Sequence, residues 1–430
     1  MKAKKINKSS ESPSIVIIKW VFLGILALIP FHGILSTWAF TNLGHELVFK
    51  SWKEILLLVV IVIAAYVLIK NPKMSRKLLG RVINKLIIAY VMLHLVWALF
   101  AQVAPEAMWQ ALAINLRFLA FFVLAQILVE VTADKKFRQL ALRVVLIVAT
   151  VVAILSLLQL ILPRELLEWF GYSKETIPAY FTIDRNLDFV RYASTTRGPN
   201  PLGAYLIVPI TIALAYLLKR FDWKRVTQIA VMTGAMYLTY SRSAWLGLVG
   251  SLATFTLFFS PSKIKRFSRV ALPIMIVILV LAVGMFKSSD YVQNAVIHQD
   301  PGEGGLVDST GEHWTATKAG LEDIAKNPLG SGPGTVGPAS FKNDGQAKIS
   351  ENYFVQIGQE VGVLGLALFL AINVLLAKEL FIGGRKSGIK GALFASLIGL
   401  SIVSLFLHGW ADEEVAYTFW GLAGLYAYRV

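Results

Sequence analysis

Lys53-Glu-Ile-Leu-Leu-Leu-Val-Val-Ile-Val-Ile-Ala-Ala-Tyr-Val-Leu-Ile-Lys70 is an apolar run closed by charge at both ends. Its length is close to the roughly 20 residues that carry a helix across the hydrocarbon core of a bilayer. Runs of the same character recur along the 430-residue chain, which is 56% hydrophobic with a mean hydropathy of +0.63. The expected fold is an all-α integral membrane protein, one membrane domain over residues 1–430. About twelve transmembrane helices are expected, near 15–35, 53–70, 83–101, 109–131, 140–162, 202–219, 226–240, 244–260, 269–286, 353–378, 389–407 and 413–428. The basic excess, 42 Lys+Arg against 26 Asp+Glu, lies in short loops between these runs rather than on one soluble face. Topology, not nucleic acid, accounts for it. The chain has no cysteine, which excludes a disulfide, a thiolate nucleophile and a Cys-ligated metal.

Charge sets the orientation. With the N-terminus Met1-Lys-Ala-Lys-Lys-Ile-Asn-Lys8 in the cytoplasm, segments 1–14, 70–85, 135–143, 219–225, 263–269, 378–390 and the C-terminal end are cytoplasmic. They hold most of the Lys+Arg, and most Asp+Glu fall on the opposite side, as the positive-inside rule requires. No small-residue cleavage site follows the basic N-terminus, so the first apolar run reads as a retained helix.

Two extracytoplasmic segments are long: 163–201, between the fifth and sixth helices, and 287–352, between the ninth and tenth. Long connections of this kind usually carry function. The second is expected to be partly helical, because Ser309-Thr-Gly-Glu312 forms a capping box ahead of His313-Trp314-Thr-Ala-Thr-Lys318. It then breaks at Asn327-Pro-Leu-Gly330-Ser-Gly332-Pro-Gly334, whose glycines and prolines stop a helix and form turns.

Three arginines stand against the charge rule on the extracytoplasmic side. Arg191 and Arg197 occur in Arg191-Tyr-Ala-Ser-Thr-Thr-Arg197-Gly-Pro-Asn200-Pro-Leu-Gly203-Ala-Tyr205, directly before the sixth helix. Guanidinium groups beside the free amides of a helix start form an anion site; the alternative is pairing with Asp184 or Asp188. Arg242, in Tyr240-Ser-Arg242-Ser-Ala-Trp245, is the only charge in a very short turn. It needs an anionic partner, or else snorkels to lipid headgroups beside an interfacial Trp245. Arg117 lies within the fourth helix, about 9 residues or roughly 13 Å from its extracytoplasmic end. A charge at that depth faces a polar cavity or pairs, for instance with Glu360. Among six histidines, His32, His45 and His298 carry no supporting pattern, and His94 and His408 lie in or at the end of a helix. His313 alone sits among other candidates. Glu351-Asn352-Tyr353, where the second long segment enters the tenth helix, places a carboxylate to accept a proton at the membrane surface or to favour the helix dipole. No His-Glu-x-x-His, close Asp-x-Asp pair or Walker loop occurs, so neither a metal nor a nucleotide triphosphate site is expected.

Taken in order, these motifs resemble the O-antigen ligase and O-antigen polymerase superfamily. The resemblance runs over about residues 190–370: Arg191 with Asn200 nine residues on in Gly198-Pro-Asn200-Pro-Leu-Gly203-Ala-Tyr205-Leu, Ser241-Arg242-Ser243, Trp314 with Asn327-Pro-Leu-Gly330-Ser-Gly332-Pro-Gly334, and Glu351-Asn352-Tyr353 followed by Glu360-Val-Gly362-Val-Leu-Gly365. It implies a multi-pass enzyme of the bacterial cytoplasmic membrane, glycosyltransferase C-like, that moves a glycan from undecaprenyl diphosphate to an acceptor sugar hydroxyl on the extracytoplasmic side. The acceptor is lipid A core in the ligase branch and another lipid-linked repeat unit in the polymerase branch. The resemblance assigns Arg191 and Arg242 to the diphosphate; Arg197 joins them by proximity, and Arg117 by its depth. One departure bears on the branch. Ligases carry a His-Asn pair at the head of the tenth-helix motif, and this chain has Glu351-Asn352. Polymerisation of surface polysaccharide is therefore the preferred reading, with ligation as the alternative and a chain-length regulator as a candidate partner.

The expected mechanism needs neither metal nor cofactor. Arg191, Arg197 and Arg242 neutralise the leaving diphosphate, Glu351 deprotonates the acceptor hydroxyl, attack comes from the opposite face, and the anomeric configuration inverts. His313, Asn352 and Tyr353 are secondary candidates. A polysaccharide-lipid flippase also needs cavity arginines and about twelve helices, but many transporters carry internal repeats around a midplane site, and no repeat is evident here.

Overall fold

A computed structural model describes residues 12–183, 186–289, 291–293, 309–343 and 347–428; Asp184 and His298 lie outside them. Each of the twelve expected segments falls on a helix. The first is bent: α1 (Pro13–Leu28) and α2 (His32–Leu43) meet at a single 3-10 turn around Pro30, which has no N–H for the helical ladder. A short α3 (Glu46–Lys50) leads into α4 (Trp52–Lys70). The amphipathic α5 (Pro72–Leu79) then turns by 81° into α6 (Val82–Ala98). There follow α7 (Pro105–Thr132), α8 (Lys135–Leu158), α9 (Pro199–Lys219), α10 (Trp223–Tyr237), α11 (Arg242–Phe258) and α12 (Ser262–Met285). The second long segment contributes α13 (Ser309–Lys326), and α14 (Tyr353–Gly384), α15 (Gly388–Ser404) and α16 (Glu413–Ala427) complete the described chain.

Among the described residues, six spans are long and apolar enough to cross a membrane, or seven if the bent α5–α6 pair is one of them. This is a multi-pass membrane protein. Side chains such as Ile69, 76% exposed, and Leu99, 81% exposed, face what a bilayer would cover. α10, α11, α15 and α16 are shorter, at 15–17 residues. Among the described residues the fold departs from all-α in one place: the first long segment folds Phe181–Ile183 (β1) and Asn186–Arg191 (β2) into an antiparallel pair that aligns Phe181 with Arg191. Its strands are too short, and too little buried, for alternation to reveal them.

α7 and α16 form the centre. Glycines on α16 let it approach α7 closely, and a Cβ added at Gly421 or Gly424 would collide with Phe121 or with the Phe122 carbonyl. Phe22 stacks on Phe121 at 4.3 Å between ring centroids, and Phe118, Trp410 and Trp420 form an adjoining aromatic cluster.

The glycine-rich break after α13 has a definite task. α14 is kinked at Val361-Gly362, where Gly362 takes φ 72° and ψ −176°, a conformation essentially confined to glycine. The kink frees backbone groups that the loop then satisfies. Ser331 N donates to Gln359 O at 2.8 Å, Gly332 N to Glu360 O at 2.8 Å, and Val363 N to the Pro328 carbonyl at 2.9 Å. A Cβ at Gly330 would lie 2.5 Å from Gly362 N, and one at Gly362 2.4 Å from Leu329 C. The two motifs are therefore one packed unit, which fixes the second long segment against the head of α14.

Candidate active site at the loop end of the bundle

Arg191 ends β2, and its guanidinium is gripped from two other elements. Nε donates to the Thr239 carbonyl at 2.9 Å and Nη2 to Asn200 Oδ1 at 2.6 Å. Thr239 precedes Arg242 by three residues, and Arg242 opens α11. Tyr192 N also donates to the Leu238 carbonyl at 3.1 Å, so the strand pair is stitched to the α10–α11 turn. The first turn of α9 seats against the same turn, because Gly203 leaves no room for a Cβ beside Ala244. Arg191, Asn200 and Arg242, distant in sequence, thus share one small region. Trp245 is half-buried, stacked on Tyr237 at 5.7 Å and donating to the Met236 carbonyl at 3.2 Å; it packs this turn rather than serving only as an interfacial anchor.

Glu351 stands at the head of α14. Its Oε2 lies 3.2 Å from His313 Nδ1 on α13, so the structure joins two residues that the sequence offered separately. Burial pushes the Glu351 carboxyl up, but His313 beside it and His408 nearby outweigh that effect and hold it below the ordinary carboxylate value. Burial pushes the His408 imidazole down to about 4 despite the pull of Glu351. Asn352 is a helix cap: Oδ1 accepts from Phe354 N at 3.0 Å and Val355 N at 3.1 Å, while Nδ2 donates to the Leu405 carbonyl at 3.0 Å. Tyr353 is buried and donates to Asn115 Oδ1 at 3.2 Å. Both hold the head of α14 in place.

The bond from Asn352 to Leu405 sets the level of Glu351 relative to Arg242. Leu405 ends α15, and α15 crosses α11 where Gly247 and Gly399 touch backbone to backbone. Arg242 is five residues from that crossing and Leu405 six, or about 8–9 Å along each helix. Arg242 and Glu351 therefore occupy the same end of the bundle, the end that carries both long segments. Backbone strain gathers there too. Ser194 (φ 53°), Tyr240 (φ 48°) and Glu351 (φ 53°) all occupy the left-handed region, which costs a non-glycine residue of order 1–3 kcal/mol and is commonest where function demands it.

Arg117 and Arg197 have different surroundings. Arg117 is buried, with Nη1 2.9 Å from Glu54 Oε1 and 3.3 Å from Glu413 Oε1, and Nη2 donating to the Ala411 carbonyl at 2.7 Å. The pairing expected with Glu360 is not the one formed. Glu360 is buried in the α14 kink, accepting from Asn115 Nδ2 at 2.7 Å and Gly334 N at 2.8 Å. Arg197 reaches the same carboxylate oxygen as Arg117, with Nη1 3.8 Å from Glu413 Oε1. His32, which carries no supporting pattern in the sequence, joins this cluster with Lys53, Glu54 and Glu413, which sequence reading passed over because each of those three heads an apolar run and looks like an ordinary helix end.

The fold and site thus define a multi-pass, nearly all-helical membrane protein with guanidinium and carboxylate groups gathered at one end. Residues 228–370 match the family described as O-antigen ligase, which supports the resemblance to the O-antigen ligase and polymerase superfamily and glycan transfer of that general type. The match contains Arg242, His313, the glycine-rich loop, Glu351 and the α14 kink, whereas Arg117, Arg191 and Arg197 lie before it. No curated protein matches the chain.

Proposed function

We propose that this protein transfers a glycan from undecaprenyl diphosphate to an acceptor sugar hydroxyl on the extracytoplasmic side of the bacterial cytoplasmic membrane, polymerising surface polysaccharide repeat units. The observation that carries this reading is that Arg191, Arg242 and the Glu351–His313 pair stand at the same end of the bundle. The arginines suit a diphosphate, since planar guanidinium donors match phosphate oxygens. They would neutralise charge as the bond to the anomeric carbon breaks. Glu351, oriented by His313, would take the acceptor hydroxyl proton. Attack from the face opposite the diphosphate inverts the anomeric centre.

Ligation is the second reading, favoured by the description of the matched family. His313 bears on it, because an imidazole stands 3.2 Å from the carboxylate that replaces the histidine expected of ligases. Deletion of the gene separates the two. Loss of polymerisation leaves single repeats capping the surface glycan, which is the expected result. Accumulation of full-length lipid-linked polymer would instead assign ligation.

A further inference from the structure

The charge cluster behind Arg197 is costly to bury. Glu413, at the start of α16, is its hub. Its Oε2 lies 3.1 Å from Lys53 Nζ and 3.2 Å from His32 Nε2, and its Oε1 3.3 Å from Arg117 Nη1 and 3.8 Å from Arg197 Nη1. Lys53 also contacts Glu54 Oε2 at 3.0 Å, and Asp412 and Glu414 flank the hub in sequence. Withdrawing such charges from water generally costs as much as their attraction returns, and apolar replacements are often neutral or stabilising.

Its geometry points outward instead. The Lys53, His32, Arg117 and Glu413 side chains are 2%, 3%, 6% and 9% exposed, whereas Arg197 is 44% exposed. Arg197 is the arm by which this buried group reaches the loop end. Its backbone is pinned: Thr195 Oγ1 donates to the Pro30 carbonyl at 2.8 Å, Ser194 Oγ to the Val152 carbonyl at 2.7 Å, and a Cβ on Gly33 would strike the Thr195 carbonyl oxygen. Its side chain is fixed from below. Trp52 Nε1 donates to His32 Nδ1 at 2.9 Å, so Nδ1 carries a lone pair and a neutral His32 bears its proton on Nε2, facing Glu413. Arg197 Nη2 lies 3.1 Å and Lys53 Nζ 3.3 Å from that same Nε2, and neither can donate to a nitrogen that bears a proton, which leaves Glu413 as the anion that draws the guanidinium toward His32.

We infer that Glu413 is a positioning residue which, with His32, holds the Arg197 guanidinium ready for the donor diphosphate. This rests on the proposed function. The test is binding of undecaprenyl diphosphate to the purified full-length protein in nanodiscs, with melting temperature as the check on folding. Arg197→Ala is expected to weaken binding by about tenfold, the loss of one charge-assisted contact worth roughly 1.4 kcal/mol. Glu413→Gln should weaken it by a similar factor alone and by less than about twofold in the Arg197→Ala background, because the two residues act as one unit. Glu413→Asp should recover part of the loss. Wild-type binding by Glu413→Gln, or losses that multiply in the double variant, would overturn the inference. Should Glu413→Gln not fold, His32→Asn, which keeps an acceptor for Trp52 and loses the donor toward Glu413, carries the same expectation and the same overturning result. Arg191→Ala and Arg242→Ala are measured alongside. If they too bind as wild type, the diphosphate reading itself fails; if they lose binding while Glu413→Gln does not, only the positioning role does.

Discussion

Arg191→Ala and Arg242→Ala proteins, inserted at wild-type levels, transfer glycan about 10²–10³-fold more slowly than wild type, the usual effect of removing one preorganised group that stabilises developing charge. The expectation follows from how tightly the site is built. Arg191 is held by Thr239 and Asn200, and Thr239 belongs to the same turn as Arg242. Neither arginine can be moved without disturbing a region made from β2, α9 and α11. Arg191→Lys should restore little, because an ammonium cannot reproduce the planar fork that bonds to both the Thr239 carbonyl and Asn200. Asn200→Ala should fall between the two, since it loosens Arg191 without removing its charge. Transfer rates normalised to inserted protein check all four variants, and full activity in either alanine variant would contradict the assignment.

Glu351→Gln is expected to lower the rate by about 10²–10⁴-fold, the range typical of removing a general base, while leaving donor binding intact. His313→Ala should have a smaller effect and a diagnostic one. The Glu351 carboxyl is held below its ordinary value of 4.5 by His313 and His408 against the opposing effect of burial. Its basic form is therefore present at neutral pH and is lost only as pH falls through that lowered value. The wild-type acid limb due to Glu351 is therefore expected below the ordinary carboxylate range. Removing His313 relieves part of the lowering, so the limb must move to higher pH in His313→Ala. The pH dependence of kcat/KM reads this directly, and an unmoved limb, or one that moves down, would detach His313 from the base.

The helices were legible in the sequence because hydropathy runs and basic clusters report the bilayer directly. The α14 kink was legible as motif but not as geometry: Asn327–Gly334 and Gly362 read as separate glycine signals, and their backbone pairing required the fold. Arg191 and Arg242 stood out because a cation that the charge rule assigns to the extracytoplasmic side needs a reason. The Glu351–His313 contact was hidden, since α13 and the head of α14 are joined only through tertiary packing. The partners of Arg117 were hidden for a related reason. Depth in a helix signalled a polar partner, and the partners, Glu54 and Glu413, come from α4 and α16, where acidic residues resemble routine helix starts.

The central claim is that the arginine and carboxylate groups at the loop end catalyse glycan transfer from a lipid diphosphate. Its most direct test is to incubate the purified protein in detergent, where no transmembrane gradient exists, with undecaprenyl-diphosphate-linked repeat units from the producing strain. The products are then followed by mass spectrometry and anomeric NMR. Elongated glycan of inverted configuration with release of undecaprenyl diphosphate, abolished in Arg242→Ala, is the result predicted. Unchanged substrate with the folded wild-type protein, alongside movement of the same lipid across reconstituted vesicle membranes, would contradict it and leave a transporter in its place.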